Sequence, residues 1–234
     1  MNITLVTCNR RKSKSVTYGV ARQLIGALLE DGTLYEFCLP QDMPHVCTAC
    51  YACFTDSEEK CPGRKYLEPI LAAMENSQLL IFCVPVYAFH LPGQLKTFLE
   101  HLSYRWAVHR ADPTMLQKQA VIITSAAGAG MRRAEQDVRD SMNYWCVART
   151  WGIQIASWGH DWADLPKHFQ RKIDEKTKRT IHKIKAHQTH LTPCLKVRVL
   201  YSFYRFLHLR RKMVPIDDEY WIRMEAGATA PTET

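Results

Sequence analysis

The chain has 234 residues, of which 47% are hydrophobic and 23% charged, so it can bury a core of its own and is neither fibrous nor disordered. Its apolar runs are far shorter than the about 18 residues of a membrane span, and the N-terminus leads directly into a strand pattern without a basic leader. We therefore expect a cytoplasmic protein. Its charge of +8 is uneven: residues 1–164 carry 16 basic and 16 acidic residues, and residues 165–234 carry 15 and 7. This predicts a neutral domain at 1–164 and a basic helical segment at 165–234.

Apolar, β-branched runs alternate with helical patterns along the first domain. The predicted strands are Ile3–Thr7, Leu34–Cys38, 79–84, 120–124 and 153–158. The predicted helices are 16–29, 67–76, 92–102 and 132–149. Continuously apolar strands that alternate with helices are typical of a parallel sheet covered on both faces. The pattern predicts an α/β fold, a flavodoxin-like doubly wound sheet of five parallel strands in the order 2-1-3-4-5, with a basic helical C-terminal extension.

The loop after the first strand, residues 8–17, leads into the N-terminus of a predicted helix. It brings an amide, several hydroxyls and four cations to a place where free N–H groups and the helix dipole favour an anion. The candidate anion-binding residues are Asn9, Arg11, Ser13, Ser15, Val16 and Thr17. The alternative is a polar connector in which Ser15 is an ordinary N-cap. Neither a dinucleotide-binding nor a P-loop glycine pattern occurs.

Two further loops follow the third and fourth strands, at the sheet edge where ligands bind in such folds. The first is stiffened by prolines and rich in aromatic residues, which suits a flat ring; the second is rich in glycine, which lets the backbone approach a ligand closely. The candidate residues are Pro85, Val86, Tyr87, Ala88, Phe89, His90, Ser125, Ala126, Ala127, Gly128 and Gly130. The alternatives are aromatic residues that only cap the core and a tight strand-to-helix turn.

Together the three loops resemble those of the flavodoxin-like NADPH-dependent FMN reductase family, over roughly residues 1–165. The family's usual Gly-Ser-x-Arg and Asn-Thr pattern is replaced here by residues 8–11 and 15–17, whereas the Pro-Val-Tyr of 85–87 matches. The resemblance implies an FMN cofactor with its phosphate in the 9–17 loop and its isoalloxazine ring between 85–90 and 125–130. NAD(P)H is the electron donor that it suggests. The flavin would carry the chemistry, so no catalytic side chain is predicted.

Four of the nine cysteines are closely spaced: Cys47, Cys50, Cys53 and Cys61 follow the second strand. Thiolates three residues apart can converge on one centre, and soft sulfur ligands select iron–sulfur clusters or zinc. A cluster, a zinc site and free thiols are all compatible with this spacing. The motif is similar to that of the iron–sulfur flavoproteins, and this resemblance implies a [4Fe–4S] cluster held by the four thiolates.

The sequence thus predicts an FMN-dependent oxidoreductase or electron-transfer flavoprotein, with a cluster that relays electrons to or from FMN. The alternatives are a cluster-free NAD(P)H-dependent FMN or quinone reductase and a zinc-containing basic nucleic-acid-binding protein. Either a redox partner or a small-molecule acceptor would take the electrons.

The C-terminal segment mixes apolar, aromatic and basic residues at 195–212. This composition favours docking on the chain itself or in a homo-oligomer over peripheral contact with an anionic membrane, and nucleic acid is disfavoured. The acidic and aromatic stretch 217–221 predicts that the chain returns to pack on the domain.

Overall fold

The structure, a computed structural model, describes residues 1–8, 11–211 and 213–227, without the side chains of Ser13 and Arg211. Five parallel strands form one sheet in the order β2-β1-β3-β4-β5, which confirms the predicted fold and strand order. The strands are β1 (Ile3–Thr7), β2 (Leu34–Cys38), β3 (Leu79–Pro85), β4 (Gln119–Ala126) and β5 (Arg149–Ala156). The helices are α1 (Val16–Leu28), α2 (Ala52–Thr55), α3 (Arg64–Asn76), α4 (Gly93–His101), α5 (Met131–Tyr144), α6 (Lys167–Ala186), α7 (Leu195–Arg211) and α8 (Pro215–Glu225).

The central strands β1 and β3 are buried along their whole length, as their continuously apolar sequences predict. One core, on the face of α3, α4 and α5, is centred on residues such as Phe82 and Phe98. The other, on the face of α1 and α6, is centred on residues such as Leu24 and Ile81. Because α1 and α4 cover opposite faces, the loops that lead into them diverge at the carboxyl edge of the sheet, which is where ligands bind in folds of this kind.

The boundaries around β5 differ from the prediction. The helix expected at 132–149 ends at Tyr144, and the strand expected at 153–158 occupies Arg149–Ala156. β5 lies at the edge of the sheet, and its first half is only partly buried, so it lacks the apolar run that marks the central strands. The other predicted strands and helices of the domain agree with the structure to within three residues.

The C-terminal helices α7 and α8 pack against each other and against the segment between α4 and β4. Trp221 of α8 is 2% exposed and belongs to a small core with Ala107, Ala111 and Val197. Its indole Nε1–H donates a 2.6 Å hydrogen bond to the carbonyl oxygen of His109. The return of the chain at 217–221 is therefore confirmed. Among the described residues, no helix combines the length and the apolar character needed to cross a bilayer.

We expect Trp221→Ala to lower the free energy of unfolding by about 3–5 kcal/mol, because it removes a buried ring and the donor of a buried hydrogen bond. Urea or thermal unfolding measures the loss. The neighbouring Ile222 is more than half exposed, so Ile222→Ala serves as the control and should change the stability by less than about 0.5 kcal/mol. Equal effects of the two substitutions would contradict the docking of α8.

Candidate functional site

The first part of the site is the N-terminus of α1. Ser15 caps the helix, since its Oγ accepts a 3.3 Å hydrogen bond from the N–H of Tyr18. Oγ of Ser15 also lies 3.0 Å from Oγ1 of Thr17, and both residues are buried. This one hydrogen bond uses one of the two hydroxyl hydrogens, so the other remains for a ligand. The first-turn N–H groups of Val16 and Thr17 are, by helix geometry, without intrahelical acceptors.

The remaining predicted residues of this loop are less informative. Asn9 lies outside the described residues, and the side chain of Ser13 is not described. The guanidinium of Arg11 pairs with Asp161 at 3.0 Å, which ties the loop after β1 to the loop after β5. The structure therefore brings Ser15, Val16 and Thr17 together at one helix end and places Arg11 in an exposed ion pair.

The loops after β3 and β4 lie side by side. Pro85 and Ser125 are paired in the sheet, and the N–H of Val86 donates to the carbonyl oxygen of Ser125 at 2.9 Å. Tyr87 and His90 exchange two backbone hydrogen bonds of 3.0 Å, which close a tight turn.

The two central residues of that turn, Ala88 and Phe89, have left-handed backbone conformations with φ of 47° and 67°. The turn leaves the rings of Tyr87 and Phe89 more than half exposed. The imidazole of His90 lies 3.1 Å from the Oδ2 of Asp137 on α5.

Gly130 fixes the distance between these two loops. Its φ is +95°, and a Cβ built on it would lie 2.8 Å from Cγ1 of Val86 and 3.0 Å from the Cα of Phe89. Only glycine accommodates both the left-handed backbone and this close approach. The predicted glycine-rich loop is therefore a place where the backbones of the loops after β3 and β4 approach each other closely, and glycine permits this approach.

Trp158, after β5, is an exposed aromatic residue that the sequence analysis missed. Its indole is more than half exposed, and it lies 3.8 Å from a Cβ built on Gly128. The backbone N–H of Trp158 donates to the carbonyl oxygen of Ala127 at 2.9 Å. Because β4 lies between β3 and β5, Phe89 and Trp158 flank the glycine loop from opposite sides. The sequence pattern predicts this tryptophan as the end of the fifth strand, whereas the Gly159 that follows it indicates a turn.

The carboxyl edge thus combines a helix N-terminus with three exposed aromatic side chains on neighbouring loops. Large exposed aromatic residues that cluster on loops mark a binding surface. The first-turn N–H groups and a hydroxyl hydrogen suit a phosphate, and the aromatic faces suit a planar ring. The residues present therefore fit a phosphorylated ligand with a flat ring system.

The four predicted cysteines line a second site, a cavity of about 470 Å³. It is bounded by residues 45–54, by Cys61 and Pro62, and by the end of α4 from Glu100 to Ser103. Ala49 and Tyr51 adopt left-handed conformations, with φ of 52° and 61°, which tighten the loop that carries the first three cysteines. The close spacing in sequence therefore corresponds to a shared cavity in the fold.

Two histidines that the sequence analysis did not select also line this cavity. Nε2 of His101 lies 3.1 Å from the carbonyl oxygen of His45, so it carries the proton and donates. Burial lowers the pKa of His101, so the ring is neutral and its Nδ1 accepts from Sγ of Cys61 at 3.4 Å. Nδ1 of His45 is buried and has no hydrogen-bond partner among the described residues. A Cβ on Gly63 would lie 2.8 Å from the ring of His101, so the close packing requires glycine.

The thiols of the cavity are not arranged for a single metal ion. In the part of the chain that the structure describes, no group of three or more His, Cys, Asp or Glu side chains could hold one ion. A cubane cluster makes a different demand, because each thiolate binds a different iron and the sulfurs stand farther apart. Burial is also the main cause that raises the pKa of Cys53 and Cys61, whereas reactive thiols usually have a lowered pKa.

Arg110 holds the cysteine loop from outside the cavity. Its guanidinium is buried, donates to the carbonyl oxygen of Cys53, and lies 3.3 Å from the carboxylate of Glu58. On its other side it forms a 2.6 Å ion pair with Asp217 of α8. The cysteine loop is thereby connected to the C-terminal extension.

The two sites lie at opposite ends of α4. The aromatic loop after β3 leads into Gly93, and the cysteine cavity is lined by His101 at the other end. Nine helical residues span about 12 Å between the first and last Cα atoms. The sites are therefore separated by roughly the length of this helix.

Solved structures with a similar fold include an enzyme with bound FMN. An FMN-dependent NADH-azoreductase from Bacillus anthracis in complex with FMN superposes with a TM-score of 0.57 and 12% identity, over 76% of this chain and 99% of its own. An oxidoreductase from Corynebacterium diphtheriae superposes with a TM-score of 0.56 and 16% identity, over 80% and 96%. At such identities the similarity shows the shared fold.

Sequence comparison identifies relatives and a family. An iron-sulfur flavoprotein of Archaeoglobus fulgidus is 32% identical over 143 residues, which are 58% of this chain and 59% of that protein. An FMN-dependent NADH:quinone oxidoreductase of Bordetella avium is 24% identical over 37% of this chain and 47% of its own. The chain thus spans less than two thirds of the length of these curated relatives. The family model of the NADPH-dependent FMN reductases matches residues 1–163, and the chain belongs to this family.

Proposed function

We propose that the protein is an FMN-dependent oxidoreductase in which a [4Fe–4S] cluster exchanges electrons with the flavin. The observation that carries the proposal is the carboxyl edge of the sheet, where a helix N-terminus and three exposed aromatic residues lie on neighbouring loops. Family membership and the FMN-bound azoreductase of similar fold support FMN as the ligand. FMN supplies chemistry that accepts electrons in pairs and singly, and the protein positions it and excludes competing reactions.

The residues at the edge have separate roles in this proposal. Ser15 and Thr17 hold the phosphate with a hydroxyl hydrogen and first-turn N–H groups. The loops at 85–90 and 125–130 border the ring, and Gly130 keeps them close enough to form one surface. Trp158 adds a second aromatic wall, which suits a planar partner that stacks on the exposed side of the ring.

The cysteine cavity supports the cluster. Four thiolates match the usual coordination of a [4Fe–4S] cube, and the relative from Archaeoglobus fulgidus is an iron-sulfur flavoprotein. The unpaired Nδ1 of His45 gives the cavity a buried polar atom that a bound group would face. A cluster is proposed rather than zinc because four cysteines at this spacing, in a chain similar to an iron-sulfur flavoprotein, are typical of a cluster, whereas zinc sites more often have two separated Cys-x2-Cys pairs. A cluster-free reductase with four free thiols is the alternative.

NAD(P)H as the donor and a small molecule such as a quinone as the acceptor are part of the proposal. The family name and the quinone oxidoreductase of Bordetella avium support this pair of substrates. The predicted homo-oligomer stays a prediction.

Two substitutions separate the phosphate site from the ring site. Ser15→Ala removes a hydrogen-bond donor to an anion and should weaken FMN about tenfold or more while leaving riboflavin nearly unchanged. Gly130→Ala forces the loops at Val86 and Phe89 apart and should weaken both flavins to the same extent. Titration of flavin fluorescence against the apoprotein measures both affinities.

Gly26→Ala is the matched control for these variants, since a Cβ at this position of α1 meets nothing within 4 Å. It should leave both flavin affinities unchanged and stabilise the helix by about 0.5–1 kcal/mol. Loss of the N-cap makes Ser15→Ala about 1 kcal/mol less stable, which thermal unfolding separates from the binding effect. Equal losses of FMN and riboflavin in Ser15→Ala, or an apoprotein that ignores FMN, would contradict the assignment.

The cluster is tested at the most exposed of the four cysteines. Cys50→Ser should lower the iron and sulfide content of anaerobically purified protein and leave FMN bound, because the flavin site lies at the other end of α4. Metal and sulfide analysis, with the absorption spectrum before and after dithionite, gives a readout that does not depend on turnover.

Cys146→Ser is the control, since this buried thiol lies outside the cavity and burial raises its pKa to about 12. It should retain full iron and lose only packing, about 1 kcal/mol. Wild-type protein with full FMN and no iron or sulfide after anaerobic reconstitution would establish the cluster-free alternative. Stoichiometric zinc instead would contradict both.

A further inference from the structure

Helix α7 has two apolar faces, and the residues that the structure describes cover only one of them. Val197 and His208 are buried, and Tyr201 and Tyr204 are partly buried against the small core around Trp221. These four positions repeat at intervals of three or four residues, as one side of a helix does. This inner face accounts for the docking of the extension.

The opposite side of α7 carries a second apolar row. Leu195, Val199, Phe203 and Phe206 are each more than half exposed, and they too repeat at intervals of three or four residues. At about 100° per residue this row lies opposite the inner face, and it extends over about 17 Å. Exposed Met213, in the segment that follows α7, adds to the apolar surface of this region. A helix that is apolar on both sides has a second partner to cover it.

Cations flank the outer row, and α7 contains no acidic residue. On the helix Lys196 lies on one side of the row and Arg198 on the other, and Arg210 follows its end. All three are exposed. The four acids of α8 pair with other residues: Asp217 with Arg110, Asp218 with His208, Glu219 with Arg223 and Glu225 with Arg205. The outer face of α7 is thus apolar along its centre and positive at its margins.

We propose that this outer face of α7, Leu195, Val199, Phe203 and Phe206 with Lys196, Arg198 and Arg210, binds the surface of an anionic lipid bilayer. Leucine, valine and phenylalanine enter the boundary between headgroups and acyl chains, and the flanking lysine and arginines meet the phosphate groups. Long basic side chains reach the headgroup level while their stems cover apolar surface. The helix lies in the plane of the membrane.

Charge complementarity favours this occupant over a second copy of the chain. Two α7 helices that packed outer face to outer face would bring their lysines and arginines together without an acid on either helix. Such an interface would desolvate like charges, which is unfavourable. An anionic lipid surface satisfies both features of the face at once.

Co-sedimentation with vesicles tests the proposal on the full-length holoprotein. We expect binding to phosphatidylcholine vesicles that contain about 30% phosphatidylserine, weak binding to phosphatidylcholine alone, and loss of binding as salt rises from about 0.05 to 0.5 M. Lys196→Glu, Arg198→Glu and Arg210→Glu combined should weaken binding at least about 100-fold. Phe203→Ser combined with Phe206→Ser should weaken it about tenfold or more.

A variant with the same change in net charge is the control. Arg171→Glu, Lys172→Glu and Lys178→Glu combined alter three exposed cations of α6, outside the proposed face, and should reduce binding far less than the α7 variant. Circular dichroism and unfolding curves verify that the exposed substitutions preserve the fold.

Three outcomes would overturn the proposal. The first is absent or salt-insensitive vesicle binding at low salt. The second is an equal loss in the α6 and α7 variants, which would reduce the effect to net charge. The third is a wild-type oligomer that Phe203→Ser and Phe206→Ser dissociate while vesicles remain unbound, which would assign the face to a second copy of the chain.

Discussion

The buried ion pair between Arg110 and Asp217 joins three parts of the molecule that the sheet alone does not hold together. Arg110 lies between α4 and β4, Asp217 lies on α8, and the same guanidinium donates to Cys53 and pairs with Glu58 in the cysteine loop. Loss of Asp217 would leave the buried guanidinium with only the longer, partly exposed contact to Glu58, and breaking a buried pair in this way typically costs about 3–5 kcal/mol. The position of the cysteine loop therefore depends on the C-terminal extension, although Asp217 lies more than 150 residues after Cys61 in the sequence.

The two candidate sites differ in what holds them in place. The proposed flavin-binding edge is fixed by paired backbone, since β3 and β4 are hydrogen-bonded up to Pro85 and Ser125 and the loops beyond them meet at Gly130. The cysteine loop contains only short helical turns, and its support comes from side chains, Arg110 outside it and His101 inside it. The hydrogen bonds between parallel strands position the loops at the ends of those strands. The geometry of the cysteine loop depends instead on the side chains that pack against it.

The sequence was most informative where one physical signal was local and strong. Buried parallel strands are continuously apolar, so the sequence pattern predicted the sheet and its strand order. The short spacing of the four cysteines was enough to predict that they lie together. Trp158 was missed because it follows the edge strand β5. The hydrophobic pattern of this strand is too weak to show where the strand ends. His45 and His101 are brought together by the packing of α4 on the cysteine loop. Their separation in the sequence does not predict this contact. The acidic stretch at 217–221 predicted a return of the chain, but the partner of Asp217 is a tertiary property.

The extension gives the molecule two linked surfaces. The inner faces of α7 and α8 include Asp217 and so support the cysteine loop, while the outer face of α7 carries the apolar row and its cations. A ligand that binds the outer face of α7 only when α7 and α8 are packed on the domain stabilises that packing. Its binding free energy adds to the free energy of docking. The same binding would also stabilise the ion pair between Arg110 and Asp217, because that pair breaks when α8 leaves the domain. A surface contact on one side of this helical pair therefore strengthens the support of the cysteine cavity on the other.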